Sequence, residues 1–187
     1  MKKLLVLIFI IVIAGCGANE EEKLAAEVSE LNAQASSHYD SGNLSSAIEV
    51  FEKSLIMKEE VDTRQKLTTI KEELQAVDEV KDLFDELRSL TLELQQQTRS
   101  DRVIEIGNRI EKIIADIPLI SAPEDSDIKH YISNIPKDAD YLTIQIRLTM
   151  FLLQAKGAIP FEAKSMSELV ESLESFIDNN PLPEFYK

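Results

Sequence analysis

The sequence has one cysteine, Cys16, and no tryptophan among its 187 residues. A single cysteine excludes an intramolecular disulfide, so the apolar core must hold the fold together. Glycine occurs only five times, too scattered for a loop that cradles a phosphate or a sharp turn that presents a nucleophilic serine. These absences remove the common signatures of nucleotide-binding and hydrolytic enzymes.

Metal-binding and acid-base patterns are also scarce. The two histidines, His38 and His130, lie far apart in the chain. Asp125-Ser-Asp127 begins like a calcium loop, but His130 stands where that loop needs glycine. With 34 acidic residues, pairs of carboxylates are expected by chance and do not identify an acid-base site. We therefore predict no catalytic residue, no metal site and no cofactor, and we expect that the protein is not an enzyme.

The formal charge is strongly negative, at −14. The phosphates of a nucleic acid would be repelled, which excludes that class of partner. The same charge argues against polybasic attachment to anionic lipid. An acidic surface suits a soluble body held off a negatively charged membrane, although solubility alone explains it equally well.

The amino terminus has the layout of a secretory signal. Lys2 and Lys3 precede the apolar segment Leu4–Ala14, and small residues follow. This segment is too short to cross a bilayer as a helix, which needs roughly 20 residues. The run Ile13-Ala14-Gly15-Cys16 resembles the lipobox of bacterial lipoproteins.

The lipoprotein resemblance implies that Cys16 receives a diacylglyceryl thioether, that cleavage occurs between Gly15 and Cys16, and that the new amino terminus can be acylated, for example with palmitate. The membrane contact would then be the lipid on Cys16, at the extracytoplasmic face of the bacterial cell membrane. Gly17 is not the aspartate associated with inner-membrane retention, so an outer membrane is allowed where one exists. The alternatives for Cys16 are a buried cysteine, or a nearby cut that leaves a thiol.

The chain divides on this basis into a signal peptide at residues 1–15, a lipidated tether at 16–23 and a helical domain at 24–187. The tether is small and acidic, with nothing to bury. From Leu24 apolar residues recur at spacings of three and four, which predicts a helix that ends near Gly42. Glu27, Glu30 and Asn32 are expected on its solvent side.

A second helix is predicted from Leu44 to about Met57, with Asn43 as its cap. The run from Tyr39 to Leu55 resembles the centre of a tetratricopeptide repeat, in which Ala47 would let two helices approach and Phe51 would fill the gap. Shifting the sequence by 34 residues brings no second clear copy. A generic helical hairpin with an alanine at the crossing explains the same residues equally well.

Residues 59–98 contain no glycine or proline, which predicts one long central helix or two nearly collinear ones. Its acidic residues, Glu73 among them, are expected to be solvated. Further helices are predicted near Asp101, from Ile128 to Ser133, and after the capping box Ser165-Met-Ser-Glu168. Between Leu142 and Leu152 apolar and polar residues alternate as in a strand. We favour a helix there, because a single strand would have no partner.

The predicted fold is all-α, with six or seven helices as successive antiparallel hairpins, either tetratricopeptide-like or an irregular bundle. The possible interaction surface comprises Tyr39 and the tail residues Phe185 and Tyr186, although docking of the tail on the body is the alternative that we favour. We expect a lipid-anchored module or scaffold that binds a protein or peptide partner in the envelope. The alternative is a binding protein for a small or apolar ligand held between helices, with Tyr141 to Leu153 lining the cavity.

Overall fold

The computed structural model describes the backbone of residues 2–156 and 163–186, and side chains at 19–135, 139–154 and 166–186. These residues form seven α-helices and two short 3₁₀ helices, and no strand occurs among them. The all-α prediction is confirmed. The α-helices are α1 (Lys2–Asp40), α2 (Leu44–Met57), α3 (Val61–Gln96), α4 (Ser100–Asp116), α5 (Asp127–Asn134), α6 (Pro136–Lys156) and α7 (Ala163–Asn179). The antiparallel arrangement of successive helices stays a prediction.

The chain divides into two units, Met1–Lys71 and Glu72–Lys187. The boundary lies inside α3, which is the long helix predicted between residues 59 and 98. The sequence predicted a single domain from residue 24 onward and gave no sign of this division, because the helical pattern continues through the boundary. The backbone of residues 16–23 belongs to α1, and their role as a lipidated tether stays a prediction.

In the first unit, α1 packs against α2 across a tight turn. Gly42 has a positive φ of 77°, a backbone conformation that glycine adopts at little steric cost. The Asn43 side chain accepts a hydrogen bond from the backbone N–H of Ser46 and caps α2. Ala47 and Phe51 are buried. The predicted turn, the cap and the burial of Ala47 and Phe51 are confirmed, whereas Leu24, where the predicted apolar face begins, is exposed.

A polar cluster lies within the first unit, around Asn32. The Ser54 hydroxyl donates to Asn32 Oδ1 at 2.7 Å. Asn32 Nδ2 in turn donates to Thr63 Oγ1 at 3.2 Å and to Glu60 Oε2 at 3.3 Å. Ser54 and Thr63 are both buried. The expectation that Asn32 faces solvent was wrong. Its side chain is held by Ser54 of α2, by Thr63 of α3 and by Glu60, which directly precedes α3.

The second unit has a core of branched aliphatic and aromatic side chains. Within it α6 contacts α4, α5 and α7. Phe84 of α3 stacks on Phe176 of α7, with ring centroids 6.0 Å apart. Ser126 caps α5 by accepting from the N–H of Lys129. The largest fully buried residues of this unit are aliphatic: Leu87, Leu94, Ile106, Ile110, Ile113, Ile117, Ile128, Ile132, Ile135, Ile146 and Leu169.

The segment from Leu142 to Leu152 is helical, as we favoured, and belongs to α6. Its alternating pattern has a helical explanation. Each step of two residues turns a helix by roughly 200°, so alternate residues fall on nearly opposite faces. An apolar residue at every second position therefore gives a helix with two apolar faces.

Candidate interaction surface

One face of α6 carries four large apolar side chains that are exposed. Their exposed fractions are 68% for Tyr141, 63% for Ile144, 56% for Leu148 and 64% for Phe151. They follow one another at spacings of three, four and three residues, which places them within roughly 80° of the helix circumference. We call these four residues the α6 stripe.

The opposite face of α6 is packed into the core of the second unit. Leu142, Ile146 and Met150 are buried there. Met150 also lies against α4 at a point where the two helices approach closely: a Cβ added to Gly107 would lie 2.6 Å from the Met150 sulfur. Because packing already holds α6, the α6 stripe is not required to attach the helix to its own unit.

The sides of the α6 stripe carry few charges. Arg147 pairs with Glu111 of α4, with Nη2 to Oε1 at 2.5 Å and Nε to Oε1 at 2.7 Å. This hydrogen-bonded pair raises the pKa of the Arg147 guanidinium. Over its whole length α6 has two acidic and three basic residues, a formal charge of +1. The stripe thus lies on a nearly neutral helix of a strongly acidic chain.

One edge of the α6 stripe borders an open groove between α6 and α7, with a volume of about 640 Å³. From α6, Tyr141, Leu142 and Gln145 line this groove. Gln145 Nε2 donates to the Tyr141 hydroxyl at 3.2 Å. Within the part of the chain that the structure describes, Gln145 Oε1 is a buried oxygen without a hydrogen-bond partner. This oxygen could accept a hydrogen bond from a group that enters the groove.

The α7 side of this region is acidic. Glu168 and Glu171 line the α6–α7 groove, and Glu171 also lines a second groove of about 590 Å³ together with Glu174. Glu174 accepts a hydrogen bond from Gln95 of α3 at 2.6 Å. Both grooves are open and have substantial polar surface. They resemble shallow recesses for a peptide more than an enclosed cavity for an apolar ligand.

Tyr186, one of the three residues predicted for an interaction surface, is docked within the second unit. Its hydroxyl donates to the carboxylate of Glu73 and accepts from the backbone N–H of Ile128 at 3.0 Å. Burial, and next the hydrogen bond to Glu73, raise the pKa of Tyr186. Glu73 is only 1% exposed. The prediction of a solvated Glu73 was wrong, because the carboxyl-terminal tail covers it.

The other two predicted residues are placed differently. The Phe185 ring packs edge-on against the Tyr186 ring, with centroids 5.0 Å apart. Tyr39 belongs to the first unit, where it lines an open groove of about 600 Å³ together with Ser36, Phe51 and Lys66. The structure therefore brings together Phe185 and Tyr186 of this predicted set. The lipobox residues at positions 13–16, Cys16 included, lie outside the residues whose side chains are described.

The α6 stripe was not predicted from the sequence. A signal was present, since the alternation between Leu142 and Leu152 predicts two apolar faces once the segment is taken as a helix. Which face is covered depends on the packing of α4, α5 and α7, and no local pattern encodes that choice. Which apolar face of α6 is exposed is therefore decided by tertiary packing.

Two further findings concern metal binding and membrane spanning. Among the described side chains no three His, Cys, Asp or Glu residues come together in a group that could hold a metal ion. In the same part of the chain no helix has the length and apolar character needed to cross a membrane.

Comparisons of the chain with protein-family models, with curated proteins and with solved structures gave no match.

Proposed function

We propose that the protein is a lipid-anchored, extracytoplasmic helical protein of the bacterial envelope that acts as a protein or peptide interaction module or scaffold. The α6 stripe is its contact surface. The observation that carries this proposal is the exposure of four large apolar side chains on a helix whose opposite face is already packed. Taking a side chain of this size from full exposure to full burial contributes about 1.5–3 kcal/mol, and these side chains retain more than half of that exposure. A contiguous exposed apolar patch of this kind marks an interaction site.

The anchor is supported by the sequence of the first 16 residues. A basic start, a short apolar segment and the lipobox-like run Ile13-Ala14-Gly15-Cys16 occur in the order that a lipoprotein signal requires. Cys16 is the only cysteine, so lipid attachment gives it a role that disulfide formation cannot. Loss of Lys2 and Lys3 with the signal would leave a mature chain of formal charge −16.

The anchor has a direct test. Mass spectrometry of the protein from bacterial membranes should find a diacylglyceryl group on Cys16 and an amino terminus at that residue. The variant Cys16→Ser should be released from the membrane fraction or retained as uncleaved precursor. An unmodified Cys16 in a membrane-bound protein would overturn the anchor.

The contact surface has a separate test. Leu148→Asp places a charge in the middle of the α6 stripe, and Ile56→Asp is the matched control, because Ile56 is 85% exposed on α2 of the other unit. Envelopes treated with a chemical crosslinker before solubilisation should show, on electrophoresis, a complex larger than the monomer. We expect this complex for the native protein and for Ile56→Asp, and its loss for Leu148→Asp. Equal complexes for all three proteins would contradict the proposal.

A second candidate function is the binding of a small ligand between helices. It is favoured by one observation, the buried Gln145 Oε1 that lacks a partner among the described residues and belongs to a residue lining the α6–α7 groove. Ser172→Trp would fill this groove from the α7 side; of the α6 stripe only Tyr141 lines the groove, so Ile144, Leu148 and Phe151 keep their exposed surface. A ligand that co-purifies with the native protein should be lost from this variant, whereas a contact through the α6 stripe should survive.

A further inference from the structure

We propose that the α6 stripe binds the α6 stripe of a second copy of this chain, an inference that rests on the proposed function. The spacing of three, four and three residues between Tyr141, Ile144, Leu148 and Phe151 is the spacing by which two helices interlock in a coiled coil. The stripe is also self-complementary. In an antiparallel pair, Tyr141 lies opposite Phe151 of the second copy and Ile144 opposite its Leu148.

Charge favours a second copy at this surface over a foreign basic partner. The helices α3 and α7 have formal charges of −4 and −3, whereas α6 has +1. Two copies of an acidic chain repel each other less where α6 meets α6 than where two α3 or two α7 helices meet. A basic partner would instead be attracted to the carboxylates of α3 and α7, of which Glu168 and Glu171 border the α6 stripe only at Tyr141.

The size of the stripe indicates a weak dimer. Its four side chains extend along roughly 15 Å of helix. A stable complex usually buries about 800 Å² on each partner, more than so short a stripe supplies alone. Lipid anchors would hold both copies at one membrane and raise their local concentration. We therefore expect dimers in the envelope and monomers when the protein is diluted in detergent.

The occupant can be identified by photocrosslinking of the full chain in intact envelopes. A benzophenone amino acid in place of Leu148 reacts with whatever lies against the stripe, and the same amino acid in place of Ile56 is the matched control. We expect a product of twice the chain mass from position 148, several-fold more abundant than from position 56. A product with a different protein would overturn the second copy as occupant and leave the proposed function standing. A lipid adduct, or no product, would overturn both.

The geometry can be tested with disulfides, since Cys16 is the only native cysteine. Ile144→Cys and Leu148→Cys, produced together with different tags, should form a mixed disulfide dimer several-fold more readily than either variant alone. The native chain is the control for Cys16. The yield should also rise between about 0.05 M and about 0.5 M salt, because salt screens the repulsion between two acidic copies. A yield that falls with salt would indicate attraction between opposite charges and overturn the proposal.

Discussion

The hydroxyl of Tyr186 donates a hydrogen bond to the buried carboxylate of Glu73, which lies 113 residues earlier in the chain. This contact fixes the carboxyl-terminal tail on the second unit. The same hydroxyl accepts from the Ile128 N–H, so one side-chain oxygen connects the tail to α3 and α5. The tail is thus part of the folded unit, and its last turn, the 3₁₀ helix Glu184–Tyr186, has a structural role.

Tyr186→Phe should therefore destabilise the protein. It removes a donor from a buried carboxylate and an acceptor from a backbone N–H, and the loss of buried hydrogen bonds of this kind costs about 1–3 kcal/mol. Urea unfolding followed by circular dichroism measures the change. In a double-mutant cycle with Glu73→Gln, the two losses should be less than additive, because both changes remove the same contact. Strict additivity would contradict the contact.

Asn32→Leu should destabilise the first unit by about 1–3 kcal/mol, because the buried Ser54 hydroxyl loses its acceptor and the Thr63 hydroxyl keeps only its hydrogen bond to Glu60. Gln34→Leu is the matched control, since Gln34 is exposed on the same helix. Hydrogen exchange of α2 amides is the measurement. We expect faster exchange in Asn32→Leu and little change in Gln34→Leu; similar exchange in both variants would mean that the polar cluster contributes no stability.

Gly107→Val should destabilise the packing of α4 against α6. Its side chain would enter the space of the Met150 side chain, whose sulfur is 2.6 Å from an added Cβ, and overpacking of this kind costs about 1–3 kcal/mol. Valine has a higher helix propensity than glycine, so propensity does not explain a loss of stability in Gly107→Val. Asn108→Val, at the exposed neighbouring position, is the control for a β-branched side chain on α4 outside the packed face. Met150→Ala should recover part of the loss in Gly107→Val, as measured by thermal unfolding. No recovery would locate the strain elsewhere.

Stability should fall as the pH rises above 10. Burial raises the pKa of Tyr131 from 10.0 to about 12 in the folded protein. A raised folded pKa contributes stability that is complete below the unfolded value and is lost as the pH rises through the folded value. The window is therefore pH 10 to about 12, and Tyr186, whose pKa is also raised, acts in the same direction.

The measurement is the thermal unfolding midpoint as a function of pH between 10 and about 12. Tyr131→Phe should be less stable than the native protein at neutral pH, because the hydrogen bond from its hydroxyl to the Asn180 carbonyl is lost. Its stability should nevertheless depend less steeply on pH. The control is Tyr141→Phe, since Tyr141 is exposed; it should keep the native slope. A native slope in Tyr131→Phe would contradict the assignment.

Helix ends were predictable because their signals are local. Gly42 and Asn43 mark the turn between α1 and α2, and Ser126 marks the start of α5. Each acts on backbone groups within four residues, so the sequence alone identifies it. The prediction was less accurate for α7, which begins at Ala163 and not at the capping box of Ser165.

Polar contacts between residues far apart in the chain were not predictable from local patterns. Asn32 depends on Ser54 and Thr63, and Glu73 depends on Tyr186 near the end of the chain. A carboxylate on an acidic helix is usually solvated, and only the folded tail reverses that expectation. The α6 stripe was missed for a related reason, since the two apolar faces of α6 differ in what covers them.

The unbroken course of α3 determines how the protein responds to proteases. The boundary between the two units, at Lys71 and Glu72, lies inside this helix, and proteases cut extended loops in preference to helices. In the described part of the chain, early nicks are therefore expected at irregular segments such as 97–99 and 120–126. Limited digestion would therefore cut within the second unit before it cut between the two units. A recombinant fragment ending at Lys71 would contain only the first part of α3.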